Sequence, residues 1–177
     1  LQYDCVIVGS DQIWRNHESD GKHIGFDPVY FCQHIPKNIR CISYAASMGI
    51  IQLNKEDKDI LKNYFNRFSR ILVRENSLKE AIDELGFDSA IVVDPTLLLS
   101  KDEWNKFLPN KRFHTTKYVL YYELVKSKEA LVFAKHKAEE LGCKLLIMDA
   151  TIPLIPQPRH ISYASPIEFL HAIRDAE

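Results

Sequence analysis

Short apolar runs alternate with amphipathic segments along almost the whole chain, and this alternation restricts the fold more than any other feature. The apolar runs predict buried strands over residues 3–8, 39–45, 71–73, 90–93, 118–122 and 144–148. Continuous apolar runs are typical of strands that helices cover on both faces, and strand–helix alternation is typical of a parallel sheet. We therefore expect an α/β fold with mainly parallel sheets.

Helix start signals follow the predicted strands. Residues 54–70 carry apolar side chains at helical spacing, with acidic residues near the start and basic residues near the end. Capping boxes, in which a Ser is followed three residues later by a Glu, predict further helix starts at Ser77, Ser100 and Ser165. Residues 127–141 predict another helix that stops at Gly142, and prolines predict an irregular loop over residues 149–164.

The composition narrows the classes of function. Of 177 residues, 46% are hydrophobic, which is enough for a buried core, and 23 basic against 24 acidic residues give a net charge of −1. Without a basic block, a nucleic-acid partner is not expected. The four cysteines have no metal-ligand spacing, so we expect reduced, buried thiols and no metal. No apolar run approaches the ~18 residues of a membrane span, and we expect a cytoplasmic protein.

Both ends of the chain fall inside the alternating pattern. Leu1 leads directly into the first apolar run, and the last predicted helix reaches Glu177 without the strand that a parallel sheet would place next. We therefore expect a fragment of a longer protein. Its first domain, residues 1–114, would lack its beginning, and its second domain, residues 115–177, would lack its end.

Polar side chains follow the first predicted strand, where ligands bind in open parallel sheets. Asp11 could accept a proton from a hydroxyl, Gln12 could hydrogen-bond that hydroxyl, and Ser10 lies in the same turn. Trp14 could stack on the face of a sugar. A capped turn with a packed Trp14 explains the same residues equally well. A dinucleotide site is not expected, because the G-x-G-x-x-G pattern is absent from the sequence.

Other predicted strands also end in polar residues, and parallel strands would bring these residues to the same edge as Asp11. They are Ser47, Arg74 and Asp94. Arg74 is always cationic and could hold a carboxylate or phosphate, although an ion pair with Asp94 or Glu75 is the commoner outcome for such a residue. Several polar strand ends at one edge together predict a binding site.

Taken in order, these segments resemble the polysaccharide pyruvyl transferases. The resemblance rests on DCVIVGSDQIW at residues 4–14, ISYAASMG at residues 42–49, VRE at residues 73–75, VDPTLLL at residues 93–99 and PIEFL at residues 166–170. It implies two Rossmann-like halves with a cleft between them, as in the GT-B glycosyltransferases. It also implies transfer of pyruvate from phosphoenolpyruvate to sugar hydroxyls, as a ketal, in bacterial polysaccharide synthesis.

The resemblance further implies roles for the candidate residues. Asp11 would activate or orient the acceptor hydroxyl, Ser10, Gln12, Trp14 and Ser47 would position the acceptor, and Arg74 would hold an anion. Residues 1–114 would form the acceptor side, and residues 115–177 would begin the donor side.

The expected partners are phosphoenolpyruvate, as a substrate and with no cofactor, and a sugar or lipid-linked oligosaccharide. The acceptor could bring the protein to a membrane surface. The family's His-bearing segment is expected after Glu177, so this chain alone is not expected to catalyse the reaction. Two other functions fit the same residues: a GT-B glycosyltransferase that uses a nucleotide sugar, and a sugar-binding protein without turnover.

Overall fold

The computed structural model describes residues 3–19, 22–149, 160–162 and 164–177. The strands are β1 (Cys5–Val8), β2 (His17–Ser19), β3 (Lys22–Gly25), β4 (Arg40–Ser43), β5 (Ile71–Val73), β6 (Ser89–Ile91), β7 (Tyr118–Glu123), β8 (Lys144–Asp149) and β9 (His160–Ser162). The α-helices are α1 (Lys55–Phe65), α2 (Asn76–Glu84), α3 (Lys101–Asn105), α4 (Lys128–Glu140) and α5 (Pro166–Arg174). The chain divides into two compact units, Leu1–Leu99 and Ser100–Glu177.

The strands that matter most for the site belong to the first unit and are parallel. Strand β1 pairs with β4, and β5 pairs with β6. Parallel bridges between Ile42 and Arg70 and between Ala46 and Val73 connect the β4 segment to β5. The four strands therefore run side by side in the order β1, β4, β5, β6, with their carboxyl ends at one edge. This arrangement confirms the predicted α/β class.

A buried hydroxyl completes the pairing between β4 and β5. Ser43 is fully buried. Its Oγ accepts a hydrogen bond from Leu72 N at 2.9 Å and donates one to Leu72 O at 3.1 Å. Ala46 N then donates to the same carbonyl at 3.2 Å. Buried backbone groups need hydrogen-bond partners, and the Ser43 hydroxyl supplies the partner of the Leu72 amide where the chain leaves β4.

The core of the first unit is aromatic and centres on Trp14, which is 0% exposed. Phe31 stacks on its indole with ring centroids 5.3 Å apart, and Phe65 of α1 meets it edge-on at 5.1 Å. Helix α1 ends at Phe65, earlier than the predicted residue 70. The Arg67 side chain, which follows the helix, instead donates to backbone carbonyls of the segment before β4, including Ile39 O at 2.8 Å.

Most of the predicted helix starts are confirmed. Capping boxes begin α3 at Ser100 and α5 at Ser165, and Ser127 caps α4. The predicted box at Ser77 is wrong, because α2 begins at Asn76 with Glu75 in the N-cap position. Glu75 has extended backbone angles and makes no side-chain cap, since its carboxylate turns toward other partners at the sheet edge.

Short polar strands lie in two segments where no strand was predicted. Strands β2 and β3 form an antiparallel hairpin after the first site segment. Strand β9 pairs in parallel with β8, inside the region predicted to be irregular. The rest of that region, residues 150–159 and 163, lies outside the described residues. These three strands, with the sequences HES, KHIG and HIS, lack the apolar run that identified β1, β4 and β5, so the sequence pattern did not reveal them.

The second unit is built on the parallel sheet β7-β8-β9. Helix α4 packs Ala134 and Ala138 against this sheet. Helix α5 is fixed by the Asp175 carboxylate, which accepts a hydrogen bond from Phe113 N at 2.7 Å. A hydrogen bond from Arg174 is the main cause that lowers the pKa of Asp175 to about 2. Phe113 thus lies within the compact unit Ser100–Glu177. The predicted domain boundary between residues 114 and 115 stays a prediction.

The cysteines are free thiols with different environments. Cys32 and Cys41 are buried, as predicted, and burial together with the neighbouring Cys41 raises the pKa of Cys32 to about 12. The prediction is wrong for Cys5, which is exposed because it lies on an outward-facing position of β1.

Among the described helices, none combines the length and the apolar character that a membrane crossing requires.

Gly9, directly after β1, supports a specific stability prediction. Its φ is +141°, and a Cβ placed on it would overlap the backbone carbonyl oxygen of Tyr44. We expect Gly9→Ala to lower the free energy of unfolding by about 3 kcal/mol or more, because strain and overlap both act against the folded state.

Gly86→Ala is the matched control for this prediction. Gly86 also has positive φ, at +92°, but a Cβ there would meet nothing within 4 Å. It should cost only about 1–2 kcal/mol. Urea unfolding of both variants measures the difference, and equal losses would show that the contact with Tyr44 does not restrict Gly9.

Candidate functional site

The loop that follows β1 is hydrogen-bonded to the segment that follows β4. Ser47 N donates to Asp11 O, and Trp14 N donates to Ser47 O, each at 3.1 Å. Within the loop, Arg15 N donates to Gln12 O at 3.1 Å. These bonds fix the backbone that carries Asp11 and Gln12 at the carboxyl edge of the parallel strands.

Arg74 directly follows β5 and contacts three carboxylates at this edge of the parallel strands. Its Nη1 donates to Asp94 Oδ2 at 2.9 Å, its Nε donates to Glu75 Oε1 at 3.3 Å, and its Nη2 lies 3.8 Å from Asp11 Oδ1. Burial lowers the pKa of Arg74, but hydrogen bonds to Asp94 and Glu75 outweigh it, so the pKa is raised overall. The structure therefore brings the predicted strand ends together and shows the ion-pair alternative for Arg74.

Asp94 is held by its own turn as well as by Arg74. Thr96 donates to Asp94 Oδ1 from its backbone N at 3.0 Å and from its hydroxyl at 2.8 Å. These two bonds, and then Arg74, lower the pKa of the Asp94 carboxyl. Asp94 is thus stabilised as an anion that orients Arg74.

Ser47 acts on the site through Glu75. Ser47 is fully buried, and its hydroxyl donates to Glu75 Oε1 at 2.5 Å while accepting from Gly49 N at 3.3 Å. Glu75 Oε2 is buried and has no hydrogen-bond partner among the described residues. A hydroxyl or water that reached that oxygen would supply the missing partner. The sequence predicted Ser47 as a residue that positions the acceptor, and it predicted Glu75 only as a possible ion-pair partner of Arg74.

Asp11 is the most accessible carboxylate of the group, with a side chain that is 89% exposed. Its Oδ1 accepts from Gln12 N at 2.7 Å, and the contact with Arg74 uses the same oxygen. Ser10, half-buried, precedes it in the turn. The carboxylate can therefore receive a hydroxyl proton or a hydroxyl hydrogen bond from a ligand in solution.

Trp14 does not form part of this surface. Its ring is fully buried among Phe31, Phe65 and Phe68, and its Nε1 donates to Tyr30 O at 3.0 Å. The predicted sugar-stacking role is therefore corrected to a core role, since a ring that is covered on its faces offers no stacking surface. The alternative of a packed Trp is the one that the structure shows.

The charges of the cluster favour one kind of ligand. Asp11, Glu75 and Asp94 outnumber the single guanidinium of Arg74, so an anion placed here would meet more repulsion than attraction. Carboxylates accept hydrogen bonds well from hydroxyl groups. In the described part of the chain, no group of three or more His, Cys, Asp or Glu side chains is arranged to hold a metal ion. The arrangement suits an uncharged ligand with hydroxyl groups.

Comparison with known proteins gave one match. The family model described as polysaccharide pyruvyl transferase matches residues 2–177 and so covers the chain. No curated protein and no solved structure matches it.

The charge cluster can be tested through Arg74→Met. We expect a lower urea midpoint at pH 7, because the carboxylates lose their shared cation. The lowered pKa of Asp94 means that its ionisation stabilises the fold above the ordinary carboxyl pKa of about 4, and that this contribution is lost as the pH falls. The difference in urea midpoint between Arg74→Met and the unmodified protein should therefore persist down to about pH 4 and shrink below it, as the pH falls through the lowered pKa of the folded Asp94 carboxyl.

Arg70→Met is the matched control for this variant, because Arg70 lies 4.0 Å from Asp88 and both side chains are mostly exposed. It should change the midpoint little. Adding Asp94→Asn to Arg74→Met should recover part of the loss. If Arg74→Met lowers the urea midpoint no more than Arg70→Met does, Arg74 does not stabilise the cluster.

Proposed function

This chain belongs to the polysaccharide pyruvyl transferase family, and we propose that the full-length protein transfers pyruvate from phosphoenolpyruvate to a sugar. The acceptor is a hydroxyl-bearing unit of a cell-surface polysaccharide precursor, free or lipid-linked, and the product is a ketal. The observation that carries the proposal beyond the family is the exposed Asp11 carboxylate beside a cluster with surplus negative charge. We further propose a cytoplasmic bacterial enzyme that uses phosphoenolpyruvate without a cofactor.

The chemistry requires an acid and a base. A proton added to the methylene carbon of phosphoenolpyruvate makes the central carbon electrophilic. Two hydroxyls of one sugar form C–O bonds to that carbon, their protons leave, and the bond to phosphate breaks. A carboxylate beside the attacking hydroxyl lowers the barrier by orienting it and accepting its proton. We assign this role to Asp11.

The remaining groups support the acceptor. Gln12 lies next to Asp11 and can hydrogen-bond a second hydroxyl, and Ser10 lines the same turn. Glu75 offers its buried Oε2 as a further acceptor of a hydroxyl proton or hydrogen bond, held in place by Ser47. Arg74 acts mainly by fixing the carboxylates, because three of them already surround it.

The negative charge of the cluster favours binding of the acceptor sugar over binding of the donor. Phosphoenolpyruvate carries several negative charges and would be repelled by the surplus carboxylates, whereas a sugar hydroxyl would not. We therefore place the acceptor on the first unit and the donor on the other half of a GT-B-like arrangement that begins in the second unit.

The reaction itself is tested by phosphate release. The full-length protein is incubated with phosphoenolpyruvate and a panel of nucleotide-linked and lipid-linked sugars, and we expect phosphate and a pyruvylated sugar with at least one acceptor. Calorimetry that shows binding of a nucleoside diphosphate and none of phosphoenolpyruvate would instead indicate a glycosyltransferase.

Asp11→Asn tests the role of the carboxylate. We expect kcat to fall by about 100-fold or more, because general-base catalysis typically contributes that much. The side chain is exposed, so the fold should be retained. Asp88→Asn, which changes an exposed carboxylate near Arg70, should keep the rate. A rate for Asp11→Asn within a few-fold of the unmodified enzyme would exclude Asp11 as the base.

A further inference from the structure

A polar cavity lies beside the carboxylate cluster, and nothing in the proposed reaction yet uses it. Its volume is about 530 Å³, within the ~300–1,000 Å³ typical of small-molecule sites. The lining residues are Gln12, Arg15, Asn16, Met48, Ile50, Gln52 and Asn54. Asp11 and Arg74 are not among them, so the cavity adjoins the cluster at Gln12 rather than including it.

Amide groups dominate the polar part of this cavity. Gln12, Asn16, Gln52 and Asn54 each carry both a hydrogen-bond donor and an acceptor, as sugar hydroxyls do. Arg15 adds donors, and the side chain of Ile50, 86% exposed, adds an apolar surface. A lining of this kind matches a sugar ring, whose edge is hydroxylated and whose faces carry C–H groups.

One amide side chain of the cavity has an oxygen whose hydrogen-bonding capacity is unsatisfied among the described residues. Asn16 Oδ1 is buried and has no hydrogen-bond partner among the described residues. Its Nδ2 is oriented by Asp57 Oδ1 at 3.4 Å. Asp57 is itself fixed by the capping box with Asn54 at the start of α1. A buried acceptor without a partner is costly, and a ligand hydroxyl would remove that cost.

Backbone hydrogen bonds fix the loop that connects Asp11 to the cavity. Asp11 and Trp14 are both bonded to Ser47, and Gly49 lets the Gln12 amide lie against the backbone. A Cβ on Gly49 would come within 3.2 Å of that amide. A ligand that presents a hydroxyl to Asp11 would therefore extend past Gln12 into the cavity.

We propose that this cavity binds a second sugar unit of the acceptor, next to the unit that receives pyruvate, so that the enzyme selects an oligosaccharide over a single sugar. This subsite rests on the proposed function for its orientation toward Asp11. Gln52 and Arg15 are the residues to alter, because both are exposed and their substitution should leave the fold intact.

The first test measures binding without a donor. The full-length protein is applied to an array of mono-, di- and trisaccharides of glucose, galactose and mannose, each linked through its reducing end. We expect longer glycans to bind at least ~10-fold more tightly than their component monosaccharides. Gln52→Ala and Arg15→Ala should reduce that preference by about 10-fold, and Arg70→Ala, which removes an exposed arginine at the opposite strand end, should keep it.

The second test measures transfer. For the acceptors that release phosphate, the ratio of kcat/KM for the longer acceptor to that for the monosaccharide should fall at least ~10-fold in Gln52→Ala. Equal losses for both acceptors, unchanged ratios, or no glycan binding at all would overturn the subsite. Glycan binding that Gln52→Ala weakens, together with no transfer of pyruvate by the unmodified protein, would uphold the subsite and overturn the proposed reaction.

Discussion

The close approach of two loops at the carboxyl edge determines the rest of the first unit. Gly9 passes so near the Tyr44 carbonyl that a side chain has no room, and just beyond it the backbone of Ser47 binds both Asp11 and Trp14. The loop after β1 carries Trp14 into the aromatic core and presents Asp11 to solvent. Stability and the candidate site thus share the same few hydrogen bonds.

The guanidinium of Arg74 sets the electrostatics of that edge. It neutralises part of the charge on Asp11, Glu75 and Asp94, which would otherwise repel one another at the strand ends. The group as a whole remains negative, which is why we assign it to an uncharged acceptor. We therefore expect the cations that bind the phosphate and carboxylate of the proposed donor to lie outside this cluster.

The sequence predicted the parallel strands and the meeting of Asp11, Ser47, Arg74 and Asp94, because consecutive parallel strands place their ends on one edge. It could not decide between a stacking and a packed Trp14, since both use the same residue in the same turn. Burial by Phe31 and Phe65 decides that question and requires residues far apart in sequence.

Other features of the site also depend on contacts between residues far apart in sequence, and the sequence alone did not indicate them. The sequence indicated Glu75 only as a possible ion-pair partner of Arg74, and its contact with the buried Ser47 hydroxyl appears only in the structure. The cavity combines side chains from residues 12–16 with side chains from residues 48–54. Asn16 Oδ1 is buried without a partner among the described residues, and this depends on tertiary packing that no local sequence pattern shows. The hairpin of β2 and β3 was missed because short polar strands have no hydrophobic period.

Gln12 connects the cavity proposed for a second sugar with the proposed base, Asp11. Its backbone N fixes the Asp11 carboxylate, and its side chain forms part of the cavity wall. A sugar seated in the cavity therefore touches the residue that orients the proposed base, and a shift of the Gln12 backbone would move both. Since a hydroxyl must lie within hydrogen-bond distance of its base to react, occupancy of the cavity would raise the fraction of bound acceptors in reactive geometry. Binding energy from the second sugar would then appear in kcat as well as in KM.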